Sequence, residues 1–287
     1  VILDAGNIFT QQQLVDQAMR TIDRKAELLV KTMNRMGYDA AALGEMDLYL
    51  GLERLRALDK LASFRFLSAN LVDRDGNTLF EPYILLSAGD LKIIVLGLTQ
   101  PPANRGLFEK RTGGSLVRNP FETAARLVPK IRSKCDVLVI LSNLGYERDL
   151  ELARYVDGID VIIGGRTRRF MNKPVTQNNT LITSGYFQGR AMGRLLISYK
   201  GPVHGWISEG ELGFMDRQIS AAEERVTTEN DRNRLQNLVA RRETAGQLTR
   251  YVGDMINLGP SWADDPGIVT MIRDYRRNFP GTATPSR

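Results

Sequence analysis

Four glycine-bearing segments hold most of the side chains here that could do chemistry: Leu3-Asp4-Ala5-Gly6-Asn7, Leu43-Gly44-Glu45-Met46-Asp47, Leu141-Ser142-Asn143-Leu144-Gly145 and Gly164-Gly165-Arg166-Thr167-Arg168. Together they offer carboxylates, carboxamides and two guanidinium groups. In an α/β sheet, ligands gather at loops beyond the carboxyl ends of the strands, so these segments are the first places to look. Ser142 has no histidine base nearby and is not an activated nucleophile. Gly164-Gly165-Arg166 is glycine-rich but lacks the lysine pattern of a phosphate-binding P-loop.

The rest of the composition narrows the chemistry. The 287 residues include one histidine, His204, and one cysteine, Cys135. An internal disulfide framework, a Cys₄ or Cys₂His₂ zinc site, a c-type haem attachment and a binuclear centre built on several imidazoles are all excluded. His204 follows Lys200-Gly201-Pro202-Val203 in a turn outside all four segments and reads as a surface or half-buried residue. Cys135 precedes an apolar strand and reads as a structural thiol. A net charge of +6 and a pI near 9.5 are mild for this size. Arginines cluster at 166–169, 241–242 and 276–277, but nucleic-acid binding would prefer a denser basic stripe interleaved with aromatics, so solvated faces are expected. No apolar run reaches the length of a membrane span. Val1-Ile2-Leu3-Asp4 reads as a strand already under way, which suggests a longer precursor.

These segments are positioned by alternating elements. A helical stretch runs from Gln11 to Met36 and ends at Gly37; another covers Met46 to Ala62. Strands are expected at Phe64–Leu71, Thr78–Leu86 and Leu91–Leu98, turning at Asp75-Gly76-Asn77 and Gly89-Asp90 as an antiparallel run. Pro120 opens a helix to about Lys134. Asp136 to Leu141 and Asp160 to Ile163 are near-continuous apolar strands, expected to be buried on both faces. A short helix, Glu147 to Val156, separates them. Strands at Thr180–Thr183, Arg194–Tyr199 and Gly205–Gly213 complete the sheet-forming part. Arg217 to Arg250 is polar, with sparse apolar positions, and reads as one long helix interrupted near Gly246. Asp264-Asp265-Pro266 starts a last helix. The pattern predicts an α/β fold with two sheets covered by helices.

The four segments, in this order and with flanks such as Gly37-Tyr38-Asp39-Ala40, Phe66-Leu67-Ser68-Ala69-Asn70 and Gly158-Ile159-Asp160-Val161-Ile162, resemble the calcineurin-like metallophosphoesterases, in particular the periplasmic 5′-nucleotidase and UDP-sugar hydrolase branch. The resemblance runs from Val1 to about Gly213. It implies a four-layer αββα sandwich over residues 1–215, followed by a helical C-terminal extension over 216–287. It also implies a first motif and strand lying before Val1.

In that family the four loops carry two divalent ions that clamp a phosphate and activate a water. The resemblance puts Asn7 where the family has a bridging aspartate. Glu45 and Met46 stand where it has a ligating asparagine and a histidine, with Asp47 following. Asn143 stands where a histidine would be, and Arg166 and Arg168 replace both histidines of the fourth loop. A neutral amide is a weak metal partner, a thioether cannot move a proton, and guanidinium groups repel cations. The expectation is a dismantled metal site with no cofactor and no catalytic residue. Two readings of the replacement stay open. Arg–carboxylate pairs could fill the hole, or Arg166 and Arg168, with Asn7 and Asn143, could form a metal-free pocket for a phosphoryl or other anionic ligand.

The expected role is therefore structural or adaptor-like, in an exported assembly in the periplasm or outside the cell. A mononuclear phosphoesterase site rescued by Glu45 and the upstream segment is a further alternative. The partner is expected to be a protein held by the C-terminal arm, with a cytochrome-type assembly as the candidate by analogy. No nucleic acid and no membrane span are expected.

Overall fold

The computed structural model describes residues 1–9, 19–167, 169–186 and 189–279, with the side chains of 19–21 left aside. Strands β1 (Leu3–Asp4), β2 (Ala40–Ala42) and β3 (Arg65–Leu67) form a small parallel sheet. Strands β4 (Leu71–Val72) and β7 (Leu116–Val117) make a short antiparallel pair. The principal sheet uses β5 (Tyr83–Ala88), β6 (Leu91–Leu98), β8 (Val137–Ser142), β9 (Val161–Gly164), β10 (Val175–Gln177) and β11 (Thr180–Ser184), in the spatial order β10-β11-β9-β8-β6-β5. A third sheet places β14 (Thr249–Asn257) between β12 (Ala191–Ser198) and β13 (Trp206–Ser208).

Packing explains the layering. Helices α1 (Met19–Met36), α2 (Leu52–Leu61) and α3 (Arg105–Thr112) cover the outer face of the small sheet, where Val30, Met33, Leu55, Leu58, Phe64 and Phe66 form one core. Helices α4 (Pro120–Ile131) and α5 (Tyr146–Tyr155) cover the outer face of the principal sheet through Val128, Ile131, Leu152 and Ala153. Between the sheets, Ala40, Ala42 and Leu67 face Val95, Val139, Leu141 and Val161, joined by Trp206 and Tyr251 of the third sheet. The order is helix, sheet, sheet, helix. Every residue of β8 is buried, as a strand covered on both faces must be. Gly97 lets β6 approach β3, since a Cβ there would sit 2.6 Å from the Leu67 side chain.

The C-terminal part differs from the single long helix expected. Ser208 and Glu211 form a capping box that starts α6 (Glu209–Glu223) where a strand to Gly213 was expected. A second box, Thr228 with Asp231, starts α7 (Glu229–Gly246). Each box satisfies helix N–H groups that would otherwise lack partners, so the chain breaks and reverses between them. The polypeptide then re-enters the sheet as β14, and α8 (Pro266–Asn278), capped by Asp265, packs on α1. Within 216–279 the chain thus has α-helix on either side of a central strand, β14.

Three further expectations change. Of the three strands expected to run antiparallel in sequence, β5 and β6 do pair so, but β3 lies in the small sheet, parallel to β2. The helix expected over Met46–Ala62 splits at Gly51, whose φ of 86° separates the 3₁₀ turn Asp47–Leu50 from α2. The helix expected from Gln11 is seen from Met19; 10–18 lie outside the described residues.

Candidate functional site

The carboxyl ends of β1, β2, β8 and β9 meet at one edge of the two facing sheets. Parallel pairing of β1 with β2 and of β8 with β9 fixes this, because strands running the same way deliver their following loops to the same side. All four glycine-bearing segments therefore arrive together. Of the residues singled out in the sequence, Arg168 lies outside the described residues; the other six converge.

Glu45 is the centre of the cluster. Its side chain is 1% exposed, and Arg166 Nη2 stands 2.9 Å from Glu45 Oε2. That approach is a charge contact without an aligned hydrogen bond, since Oε2 has no donor in hydrogen-bonding geometry. The other carboxylate oxygen, Oε1, accepts from the Ala103 backbone N–H at 2.9 Å. The Glu45 backbone N–H donates to Asn143 Oδ1 at 2.9 Å, and Asn143 Nδ2 donates to the Ala5 carbonyl at 3.1 Å. One carboxamide thus ties the second loop to the first. A buried charge needs such partners, since leaving it unpaired costs several kcal/mol.

Asp47 does different work. Among the described residues no arginine pairs with it; its oxygens accept backbone N–H groups from Asn7 at 2.8 Å, Gly44 at 2.9 Å and Phe9 at 3.0 Å. Burial pushes its carboxyl up to about 7 even though those bonds pull the other way. Asn7 is held in the left-handed region at φ 63°, and its Oδ1 accepts the Met46 N–H at 2.9 Å. Met46 lays its side chain against the outer core.

The neighbourhood contains further groups that the sequence did not single out as site residues. Asp4, within the first segment, accepts the Gly6 N–H at 2.8 Å and is raised to about 6 by desolvation. Ser142 Oγ donates to Asp149 Oδ1 within the core, and burial pushes Asp149 up to about 8. Gly164 leaves room for that carboxyl, because a Cβ there would lie 2.5 Å from Asp149 Oδ2. The one available signal for Asp149 was its place in the first turn of α5, where acids are common for helix-dipole reasons alone. His204 is exposed and stands apart from the cluster. Cys135 is half-buried, its thiol raised by desolvation.

Among the described residues, no group of three or more His, Cys, Asp and Glu side chains is placed to hold a metal. Nor is any helix among them long and apolar enough to cross a membrane.

No family model matches the chain. Over 201 residues it is 30% identical to a 5′-nucleotidase of Vibrio cholerae, covering 59% of this chain and 36% of that protein. Over 245 residues it is 29% identical to the trifunctional nucleotide phosphoesterase protein YfkN of Bacillus subtilis, covering 71% of this chain and 16% of the relative. The chain thus spans about a third of the former and less of the latter. Among solved structures, the sulfate thiohydrolase SoxB of Thermus thermophilus aligns over 98% of this chain and 43% of its own, with a TM-score of 0.73 and 20% identity. A 5′-nucleotidase precursor from Thermus thermophilus aligns over 97% of this chain and 49% of its own, with a TM-score of 0.66 and 22% identity. The four-layer arrangement is the fold of those solved structures, and in sequence the chain is similar to 5′-nucleotidases and nucleotide phosphoesterases over part of their length.

Proposed function

We propose that this chain is a metallophosphoesterase-like protein that hydrolyses no phosphoester and serves a structural or adaptor role in a periplasmic or extracellular assembly. The observation that carries this reading is the Arg166–Glu45 contact at 2.9 Å, at the centre of loops in which Glu45, Asp47, Asn7 and Asn143 already have side-chain oxygens engaged. Glu45 Oε1 is taken by Ala103, both oxygens of Asp47 by backbone N–H groups, Asn7 Oδ1 by Met46 and Asn143 Oδ1 by Glu45. A pair of divalent ions needs several free anionic or imidazole donors and a bridging carboxylate. The residues present do not fit that pair. A guanidinium stands among them instead, and it would repel a cation.

The adaptor role follows from a fold that is kept while its chemistry is replaced, and the C-terminal part is where we place the partner contact. Exposed apolar side chains there, Phe214, Leu258 and Trp262, are the kind that interfaces use. The placement outside the cytoplasm rests on the family resemblance.

Metal analysis of the purified chain, together with a nucleotide and phosphodiester hydrolysis screen over divalent ions, tests the reading. Substoichiometric metal and no turnover above buffer are expected. Stoichiometric metal with turnover would overturn it and favour a phosphoesterase rescued by Glu45.

A further inference from the structure

Arg166 is under-used as a cation. Its side chain is 41% exposed, and its one contact among the described residues is Nη2 on Glu45 Oε2 at 2.9 Å. A guanidinium carries five N–H donors in a planar fork, so most of them have no partner among the described residues. Glu45 anchors one corner, since it is itself fixed through Ala103 and Asn143. The fork is therefore positioned by a buried carboxylate, with its other edge left to solvent.

A second donor stands on the adjoining loop. Asn7 spends its oxygen on the Met46 N–H and its backbone N–H on Asp47. Its Nδ2 has no partner among the described residues. The two loops are in direct apposition: a Cβ on Gly165 would overlap the Ala5 backbone carbonyl. Arg166 follows the first of these residues by one position and Asn7 follows the second by two. Nearby, the Arg169 guanidinium lies 4.3 Å from the Tyr146 ring centroid, so the same loop presents another positive charge. The neighbouring acids are occupied, Glu45 by Arg166 and Asp47 by backbone N–H groups.

We infer that Arg166 and Asn7 form a metal-independent site for a small oxyanion, a phosphate or a carboxylate, which docks on the free edge of the guanidinium while Glu45 keeps hold of the other. The ligand does not displace Glu45, because that would leave a buried carboxylate unpaired. Recognition is by N–H donors alone; an anion on an arginine fork gains charge-assisted hydrogen bonds about twice as strong as neutral ones. The inference rests on the metal-free reading of the site.

Titration calorimetry of the whole chain in excess EDTA tests it, with inorganic phosphate in one arm, acetate in a second and chloride as the ionic-strength control. Saturable binding of phosphate or acetate is expected, weakened about tenfold or more in Arg166→Gln. Phosphate alone would identify a tetrahedral ligand, and acetate binding as well a carboxylate-competent one. Because Arg166→Gln leaves Glu45 unpaired, the double variant Glu45→Gln/Arg166→Gln removes that complication and should also lose binding. The Asn7 side-chain amide resonances should shift with the same saturation curve. No saturable binding in either arm, or equal binding in the wild type and both variants, would overturn the site. A null titration from a chain without metal or turnover would sink this inference alone, whereas metal-dependent turnover would sink the reading beneath it.

Discussion

Asp47 and Asn7 each hold the other's loop in place. Asp47 Oδ2 accepts the Asn7 backbone N–H at 2.8 Å, and Asn7 Oδ1 accepts the N–H of Met46, the residue just before Asp47, at 2.9 Å. The exchange spans forty positions of sequence and locks Asn7 in a left-handed conformation that asparagine tolerates better than most residues. A carboxylate lying against backbone N–H groups is then a structural bolt, and the loops it joins are the ones that carry Glu45.

Asp47→Ala should be among the most damaging single changes in the chain. It leaves the N–H groups of Asn7, Gly44 and Phe9 without their acceptor, two of them in buried surroundings. Each such loss costs about 1–3 kcal/mol, so a total of roughly 3 kcal/mol or more is expected. Urea unfolding monitored by circular dichroism should show the midpoint fall with little change in slope. A variant within about 0.5 kcal/mol of the wild type would contradict the role given to Asp47.

Gly44→Ala should destabilise by roughly 2–3 kcal/mol, because a Cβ at Gly44 would overlap both the side-chain oxygen and the backbone nitrogen of Asn7. Gly259→Ala is the matched control. Neither glycine lies in the left-handed region, and a Cβ at Gly259 meets nothing within 4 Å. The difference between the two thermal midpoints isolates the steric part. Equal losses would mean that the close approach of the first two loops has no energetic weight.

What was legible beforehand follows from the range of the forces involved. The apolar run ahead of Asn143 announced β8, and Asp265-Pro266 announced the start of α8, because burial on both faces and helix capping are written locally. Strand β14 was hidden. Its sequence, Thr249 to Asn257, mixes Arg250, Gly253 and Asp254 among apolar residues, and its position is decided by β12 and β13 on either side. The break between α6 and α7 is marked in sequence by Thr228-x-x-Asp231, but the polar, helix-favouring residues on both sides match one continuous helix equally well. At the site, residue types carry the expectation of lost metal chemistry, which remains part of the proposed function. The pairing of Arg166 with Glu45 rather than Asp47 depends on a separation of about 120 residues that only strand register resolves.

Stability should decline as pH rises from about 4 to 8. Asp4, Asp47 and Asp149 are raised by burial to about 6, about 7 and about 8. A carboxyl with a higher pKa in the folded chain than in the unfolded one holds its proton preferentially when folded. Its stabilising contribution is complete below about pH 4 and is lost as pH climbs through the folded value. Asp149→Asn keeps an acceptor for Ser142 Oγ and removes the titration. Thermal midpoints at pH 5, 6.5 and 8 should therefore fall less steeply in this variant than in the wild type. Parallel slopes would show that Asp149 carries no buried proton.

Truncation separates what the C-terminal region does for the fold from what it does for a partner. Ending the chain after Asp216 removes β14, the strand between β12 and β13, together with Tyr251, whose ring packs edge-on against Trp206 in the core between the sheets. Losing one buried aromatic alone costs about 3–5 kcal/mol, and a missing central strand also strands the hydrogen-bonding groups of its neighbours. This shorter chain should therefore fail to show the near-ultraviolet signature or the cooperative melt of the full protein. Ending the chain after Asn257 instead keeps every strand of the described residues and removes α8, the loop before it and the residues after it; the hold of this part on α1 includes an exposed Arg35–Asp265 ion pair. That chain should fold, and comparing it with the full protein in affinity capture from a periplasmic extract asks whether α8 carries the partner contact. A chain ending after Asp216 that melts cooperatively would show that the sheets do not depend on β14, and 216–287 would then be an appendage after all.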